Sequence, residues 1–173
     1  MTRRYITILG LLSLLAIGGG LFMVARYANV STDVPDSAMF LIDFELPTSR
    51  GIPWSSSTLE NRVVVINFWA PWCLPCRNEI PYLVDIYLQY RPALQVIGIA
   101  IDQREAVRRF ENQAGITYTS LIGELGGIEL MQQYGNAGQL PLTLVFDRGG
   151  RLQRRVTGAF KPALLRHWLM QLL

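Results

Sequence analysis

The 173-residue sequence predicts an α/β fold: a mixed β-sheet covered on both faces by helices and preceded by one N-terminal transmembrane helix. Three observations lead there. The apolar patterns run strand–helix–strand and close with hairpin–helix, an order that requires both parallel and antiparallel pairs in one sheet. The run from Arg62 to Trp69 is β-branched and aromatic with no breaker, as expected of a buried strand. Tyr5 to Ala25 carries no charged residue and is dominated by Leu, Ile, Val, Gly and Ala.

The N-terminal segment is the first element. Residues 1–4 end in Arg3-Arg4, and residues 5–25 follow as the apolar stretch. At about 1.5 Å of rise per residue, that stretch matches the roughly 30 Å of a bilayer's hydrocarbon core. The positive-inside rule leaves 1–4 in the cytoplasm and sends everything after Arg26 to the other side, with Arg26 itself a mild counter-signal. A cleaved signal peptide is the alternative, but its apolar region should be about 7–15 residues and end in small residues. Near Ala28, Arg26 occupies a position where a small residue is wanted. The length favours an uncleaved single-pass anchor in the cytoplasmic membrane, with a periplasmic or otherwise extracytoplasmic domain. Residues 26–37 are polar, contain Pro35 and read as a linker, so the domain occupies 38–173.

Within the domain, Phe40–Leu46 alternates partly and predicts an edge strand, 47–53 a proline-bounded turn, and 55–59 one helical turn. The buried strand 62–69 is followed by helical periodicity from Arg77 to Leu88, ending near Arg91-Pro92. A second buried strand covers 94–101, a helix 103–114 with Val107, Phe110 and Ala114 on one face, and a short strand 118–122. A helix over 127–134 precedes a hairpin of strands 142–147 and 152–158, turning at Arg148-Gly149-Gly150. An amphipathic helix over 161–173 ends the chain.

Composition excludes some functions. Arg3, Arg4 and Arg26 account for the whole of the +3 formal charge, so the domain is neutral and shows no basic face for nucleic acid. The two cysteines stand together in Trp72-Cys73-Leu74-Pro75-Cys76, at the join between strand and helix. There the unpaired N–H groups and the macrodipole of a helix start stabilise a thiolate at Cys73. Cys76 lies close enough to close a disulfide within the first turn, and Pro75 is tolerated there. Structural zinc would need four ligands, and beyond this pair the chain offers only His167. A static staple closing so short a loop would stabilise little. Inert core thiols do not fit the aromatic and proline flanks. Dithiol–disulfide chemistry remains, with no cofactor. Outside the cytoplasm such a pair cannot draw on cytosolic reductants and needs a dedicated electron donor.

The stretch Val65-Ile66-Asn67-Phe68-Trp69-Ala70, the pair Trp72-Cys73 and Pro75-Cys76, Glu79, and Pro141 before a strand ending in Asp147 together resemble the thioredoxin superfamily. More narrowly, 38–173 is similar to the membrane-anchored TlpA/ResA/CcmG-like thiol–disulfide oxidoreductases. The resemblance implies a thioredoxin-like fold, with Cys73 as attacking thiol and Cys76 as resolving thiol of a redox-active disulfide. It also implies a cis Leu140-Pro141 bond facing the cysteines, leaving the Leu140 backbone to pair with an extended substrate segment. Asn67 stands where cytosolic thioredoxins carry a buried aspartate, and Glu79 matches the family's glutamate after the second cysteine. Gly138-Gln139-Leu140-Pro141 is one residue longer than the usual Gly-x-Pro approach. Leu142-Thr143 replaces the acid of the CcmG subgroup, which weakens a cytochrome-maturation role.

For the individual residues the spacing leaves choices. Glu79 lies one turn beyond Cys76 on the same helical face, either as general base for the resolving thiol or as a solvated charge near the helix start. Trp69 reads as core, Trp72 as a surface residue at the rim of a substrate groove. His167 reads as a packing or surface residue. The expected partners are client proteins bearing disulfides or thiols, a membrane dithiol donor and the membrane itself. The expected direction is reduction. A Cu(I) chaperone on the same fold, using Cys73 and Cys76 as soft ligands, is the alternative function.

Overall fold

The computed structural model describes residues 39–59 and 61–173. Among these, no helix is long and apolar enough to cross a membrane. The predicted segments 1–4, 5–25 and 26–37 lie outside them.

A five-stranded sheet carries the domain. Its strands are β3 (Val63–Trp69), β4 (Leu94–Ala100), β5 (Thr119–Ile122), β6 (Leu142–Phe146) and β7 (Leu152–Thr157), in the spatial order β5-β4-β3-β6-β7. β3, β4 and β5 are parallel to one another, while β6 pairs antiparallel with β3 and β7 with β6. A small antiparallel ribbon, β1 (Glu45–Pro47) and β2 (Pro53–Ser55), is joined to its β5 edge by a Thr48–Leu121 bridge and by Ser49 N–H donating to the Ser120 carbonyl (3.0 Å). The predicted mixed sheet is therefore present, with β3 at its centre and every residue of β3 buried.

Alternation along β3 divides the core. Val64, Ile66 and Phe68 face one side, packing with Ile97, Ile99, Leu144 and Phe146 against Leu130, Met131 and Tyr134. Val63 and Val65 face the other side, against Leu83 and Ile86 of helix α1 (Leu74–Tyr90) and Leu165, Trp168 and Leu169 of helix α4 (Pro162–Leu172). Trp69 continues that second face, packing with Ile80 of α1 and Val107 of helix α2 (Arg104–Ala114). Helix α3 (Glu124–Gln133) supplies Leu130 and Met131 to the first face.

Three expectations need correction. The edge strand predicted over Phe40–Leu46 is a strand only from Glu45. Upstream the chain makes only an isolated antiparallel bridge, Phe40 with Arg151, in which Leu41 N–H donates to the Gly150 carbonyl (2.7 Å); after it Ile42 N–H donates to the Tyr134 hydroxyl (2.9 Å) and Phe44 N–H to Ser56 Oγ (3.0 Å). The proline-bounded turn is tighter than 47–53, because Pro47 and Pro53 themselves pair and the reversal is held by Thr48 N–H to the Ile52 carbonyl (2.8 Å). The helix expected from Gly127 starts at Glu124. Its glycines are there for close approach: a Cβ on Gly123 would lie 2.7 Å from Ile99 Cγ2, and one on Gly127 2.6 Å from Ile101 Cδ1. The sequence shows these glycines only as helix breakers.

Candidate active site

β3 ends buried, and its carbonyls then turn the chain sharply. Ala70 O accepts the Cys73 N–H (3.1 Å), and Cys73, with φ −79° and ψ 101°, caps α1. Its carbonyl accepts Arg77 N–H (3.1 Å) and its Sγ accepts the Cys76 N–H (3.3 Å), so the Cys73 sulfur occupies the position of an N-cap acceptor. Donors and dipole at this end favour negative charge on that sulfur when it is a thiolate. Cys73 and Cys76 are joined by a disulfide with Cα atoms 5.3 Å apart. Cys73 is 5% exposed and Cys76 fully buried, so of the two cysteines only Cys73 keeps any surface.

Glu79 follows one turn later and is buried, at 3% exposure, among apolar neighbours. A solvated helix-start charge is thereby excluded. Its Oε1 accepts the Phe160 N–H at 2.6 Å, while Oε2 has no protein partner. Burial raises its pKa from 4.5 to about 7, offset in part by the Phe160 hydrogen bond and, to a lesser degree, by the Asn67 side chain. Asn67 makes no direct hydrogen bond to the carboxyl; its Nδ2 donates to Thr143 Oγ1 (3.0 Å). A carboxyl poised near neutrality one turn from Cys76 has the protonation range of a general base. A depression of about 270 Å³, lined by Leu74, Pro75, Asn78, Tyr82, Phe160 and Pro162 among others, reaches it.

The loop leading to β6 completes the site. Leu140-Pro141 is a cis bond. Leu140 packs against the cluster that holds Cys73 and Cys76, and Pro141 is buried. The extra residue in this loop is absorbed by Asn136, whose Oδ1 accepts the N–H groups of Gly138 (2.8 Å) and Gln139 (2.7 Å). Its Nδ2 donates to the Gln139 carbonyl (3.2 Å) and Thr157 Oγ1 (3.3 Å). Gly138, at φ +98°, takes a conformation that suits glycine. Trp72 is 68% exposed beside the cysteines, on the surface as expected.

The structure thus gathers Trp72, Cys73, Cys76, Glu79, Leu140 and Pro141 around one helix start. It leaves His167 on the exposed side of α4, beside Gln171 at 3.2 Å. Sequence reasoning missed Asn136, Thr143 and the Phe160 backbone. For Asn136 the signal was legible, since an Asn two residues before a Gly is a side-chain-braced turn. For Phe160 no signal existed, because a backbone N–H is the same for every residue but proline.

Residues 39–155 match the family model described as the AhpC/TSA family. The thiol-disulfide oxidoreductase ResA of Bacillus thuringiensis is 31% identical over 102 residues, which are 58% of this chain and 57% of the relative, so this match spans little more than half of that protein. The ResA of Geobacillus thermodenitrificans is 28% identical over 88% of the chain and 85% of its own length. Among solved structures, a thiol:disulfide interchange protein of the thioredoxin family from Chlorobium tepidum is 26% identical. It covers 78% of this chain and 95% of its own, with a TM-score of 0.71. With that fold, that match and the Cys73–Cys76 disulfide at the start of α1, the chain belongs to the AhpC/TSA family of thioredoxin-like proteins.

Proposed function

We propose that this protein is an extracytoplasmic thiol–disulfide oxidoreductase, tethered by residues 5–25, that reduces disulfides of client proteins. The observation that carries the reading is the pairing of an N-cap sulfur, Cys73, with a wholly buried cysteine, Cys76, and a buried carboxyl near neutrality one turn on.

In the reducing direction the Cys73 thiolate attacks a client disulfide, forming the Cys73–client bond and releasing one client thiolate, which takes a proton from solvent. Glu79, as carboxylate, then accepts the Cys76 proton. The Cys76 thiolate attacks the Cys73 sulfur, the Cys73–Cys76 bond forms, the client bond breaks, and the second client thiolate leaves and is protonated. The electrons that reset the pair come from a membrane dithiol donor, as the extracytoplasmic reading requires. ResA relatives named as thiol-disulfide oxidoreductases support the exchange chemistry. The charge-free stretch 5–25 behind Arg3-Arg4 supports the location.

Two measurements test this. Cys76→Ser should trap Cys73–client mixed disulfides while Cys73→Ser traps few. The reverse pattern would refute the assignment of the attacking sulfur. The reduction potential should lie nearer the roughly −270 mV of a reducing thioredoxin than the about −120 mV of a strong oxidant. A value at the oxidising end would overturn the direction.

A further inference from the structure

The strand register fixes which loops share an end of the sheet. β3 and β4 are parallel, so Arg62 and Arg91, which precede them, lie at one end, where Val63 N–H donates to the Ala93 carbonyl (3.2 Å). β6 runs the other way. Its last residue, Phe146, pairs with Val64, which brings the β6–β7 turn with Arg148 and Arg151 to the same end. All four arginines are exposed. The cysteines stand at the opposite end, beyond Trp69. At about 3.3 Å per residue, the length of β3 separates the two ends by roughly 20 Å.

The described chain enters at the arginine end. Leu41 N–H donates to the Gly150 carbonyl (2.7 Å), Leu152 N–H donates to the Met39 carbonyl (2.9 Å), and Arg151 lies over the Phe40 ring (5.3 Å). α4 finishes there as well, with the Arg148 guanidinium donating to the Leu173 main-chain oxygen. Phe40 is 52% exposed and Met170, in the last turn of α4, 69%, so apolar surface lies among the arginines. Acids are few at this end. Asp147 is held by the N–H groups of Gly149 (2.9 Å) and Arg151 (3.0 Å), and even with Glu60 of the sequence counted the arginines stay in excess. The cysteine end balances instead, with Asp102, Glu105 and Glu124 against Arg77, Arg104 and Lys161.

We propose that this arginine end is a docking face for anionic phospholipid headgroups, which holds the domain with Cys73 pointing away from the bilayer. This rests on the reading of residues 5–25 as the anchor. The stretch 26–38 leads from that span to Met39 and reaches at most about 45 Å when extended, so the tether delivers the arginine end to the surface first. A tether of that length does not choose a face by itself. Charge does, because the pull of an anionic surface on an arginine fades within about 10 Å at 0.1 M salt, and only the end that touches feels it. The guanidinium groups match phosphate oxygens, and Phe40 and Met170 add apolar contact beside them. In this pose clients meet Cys73 from the extracytoplasmic space, roughly 20 Å or more above the headgroups, and a membrane donor has to raise its dithiol to that height.

The test uses the full chain reconstituted into nanodisc bilayers that carry a gadolinium chelate on some headgroups. One set mixes phosphatidylglycerol with phosphatidylcholine, and the other is phosphatidylcholine alone. NMR line broadening of the Met170 methyl and the Trp72 indole N–H reports which end lies near the surface. In the mixed bilayer Met170 should broaden several-fold more than Trp72. In phosphatidylcholine, or in high salt, the difference should collapse. Arg62→Gln with Arg91→Gln should reduce it by at least about half. Arg108→Gln with Arg109→Gln removes the same charge from α2, which packs beside the cysteines, and should leave it unmoved. Both variants should exchange with a small soluble disulfide at the wild-type rate, which shows that they are folded. Equal broadening of the two probes in the mixed bilayer, or a difference that ignores Arg62 and Arg91, refutes the docking face and leaves the anchor standing. Protein recovered free of both bilayers refutes the anchor, and the docking face with it.

Discussion

Glu79→Gln tests the site most sharply, because stability and kinetics should move in opposite directions. The native carboxyl has its pKa raised from 4.5 to about 7 by burial. For an acid raised on folding, the native state binds the proton more tightly than the unfolded chain. The associated stability is complete below about pH 4.5 and is lost as pH rises to about 7. At 1.36 kcal/mol per pH unit, ionising Glu79 in place costs the native state about 3 kcal/mol at and above pH 8. Glutamine keeps the shape and an acceptor for the Phe160 N–H, and it removes the charge. In urea titrations of the oxidised protein, the variant should match the wild type near pH 4 and exceed it by about 2–3 kcal/mol at pH 8–9, with a weaker Phe160 bond taking back the remainder. Over the same range, resolution of a mixed disulfide should rise in the wild type with a midpoint near pH 7, as Glu79 ionises. In the variant it should fall about a hundredfold at neutral pH. Equal stabilities at pH 9 would mean that the carboxyl is not held charged in a dry site. An unchanged resolution rate would make solvent the proton acceptor.

Three further outcomes are expected. The protein should stay in the membrane fraction with its N-terminus intact and its cysteine domain open to protease from the extracytoplasmic side; a soluble form beginning after Ala28 would refute the anchor. Asn136→Ala removes four hydrogen bonds from the 138–141 approach, so protein clients should react more slowly while small disulfides react at the wild-type rate; equal losses for both would mean a general effect on Cys73. Gly123→Ala drives a Cβ to 2.7 Å from the buried Ile99 Cγ2 and 3.0 Å from the Gly127 backbone, so thermal unfolding should show a loss of about 1–3 kcal/mol with redox chemistry retained.

Legibility divided along the range of the interactions. β3 was readable because an uninterrupted β-branched run is buried on both faces whatever its neighbours. The start of α1 was readable because Pro75 and the following periodicity are local signals, and the cysteine pair came with it. Phe40–Leu46 misled because partial alternation cannot say how far a ladder extends: it stops at the Phe40–Arg151 bridge, and beyond it the Ile42 and Phe44 donors found Tyr134 and Ser56 instead. Gly123 and Gly127 misled in the opposite way. Their missing side chains look like weakness until Ile99 and Ile101 are seen to occupy the space.

The sequence by itself determined the sheet-and-helix order, the redox pair and the chemical kind of each site residue, since these follow from periodicity, caps and side-chain chemistry within a few residues. The tertiary structure alone decided what Glu79 is. Its ordinary acidity gives way to a pKa near 7 through desolvation, and a backbone N–H 81 residues away holds its Oε1. The same is true of the row Asn67, Gly98 and Ser120, whose members are separated along the chain and aligned only by strand register. Burial and register are properties of the assembled sheet. Local sequence names the groups that can titrate, and packing sets the pH at which they do.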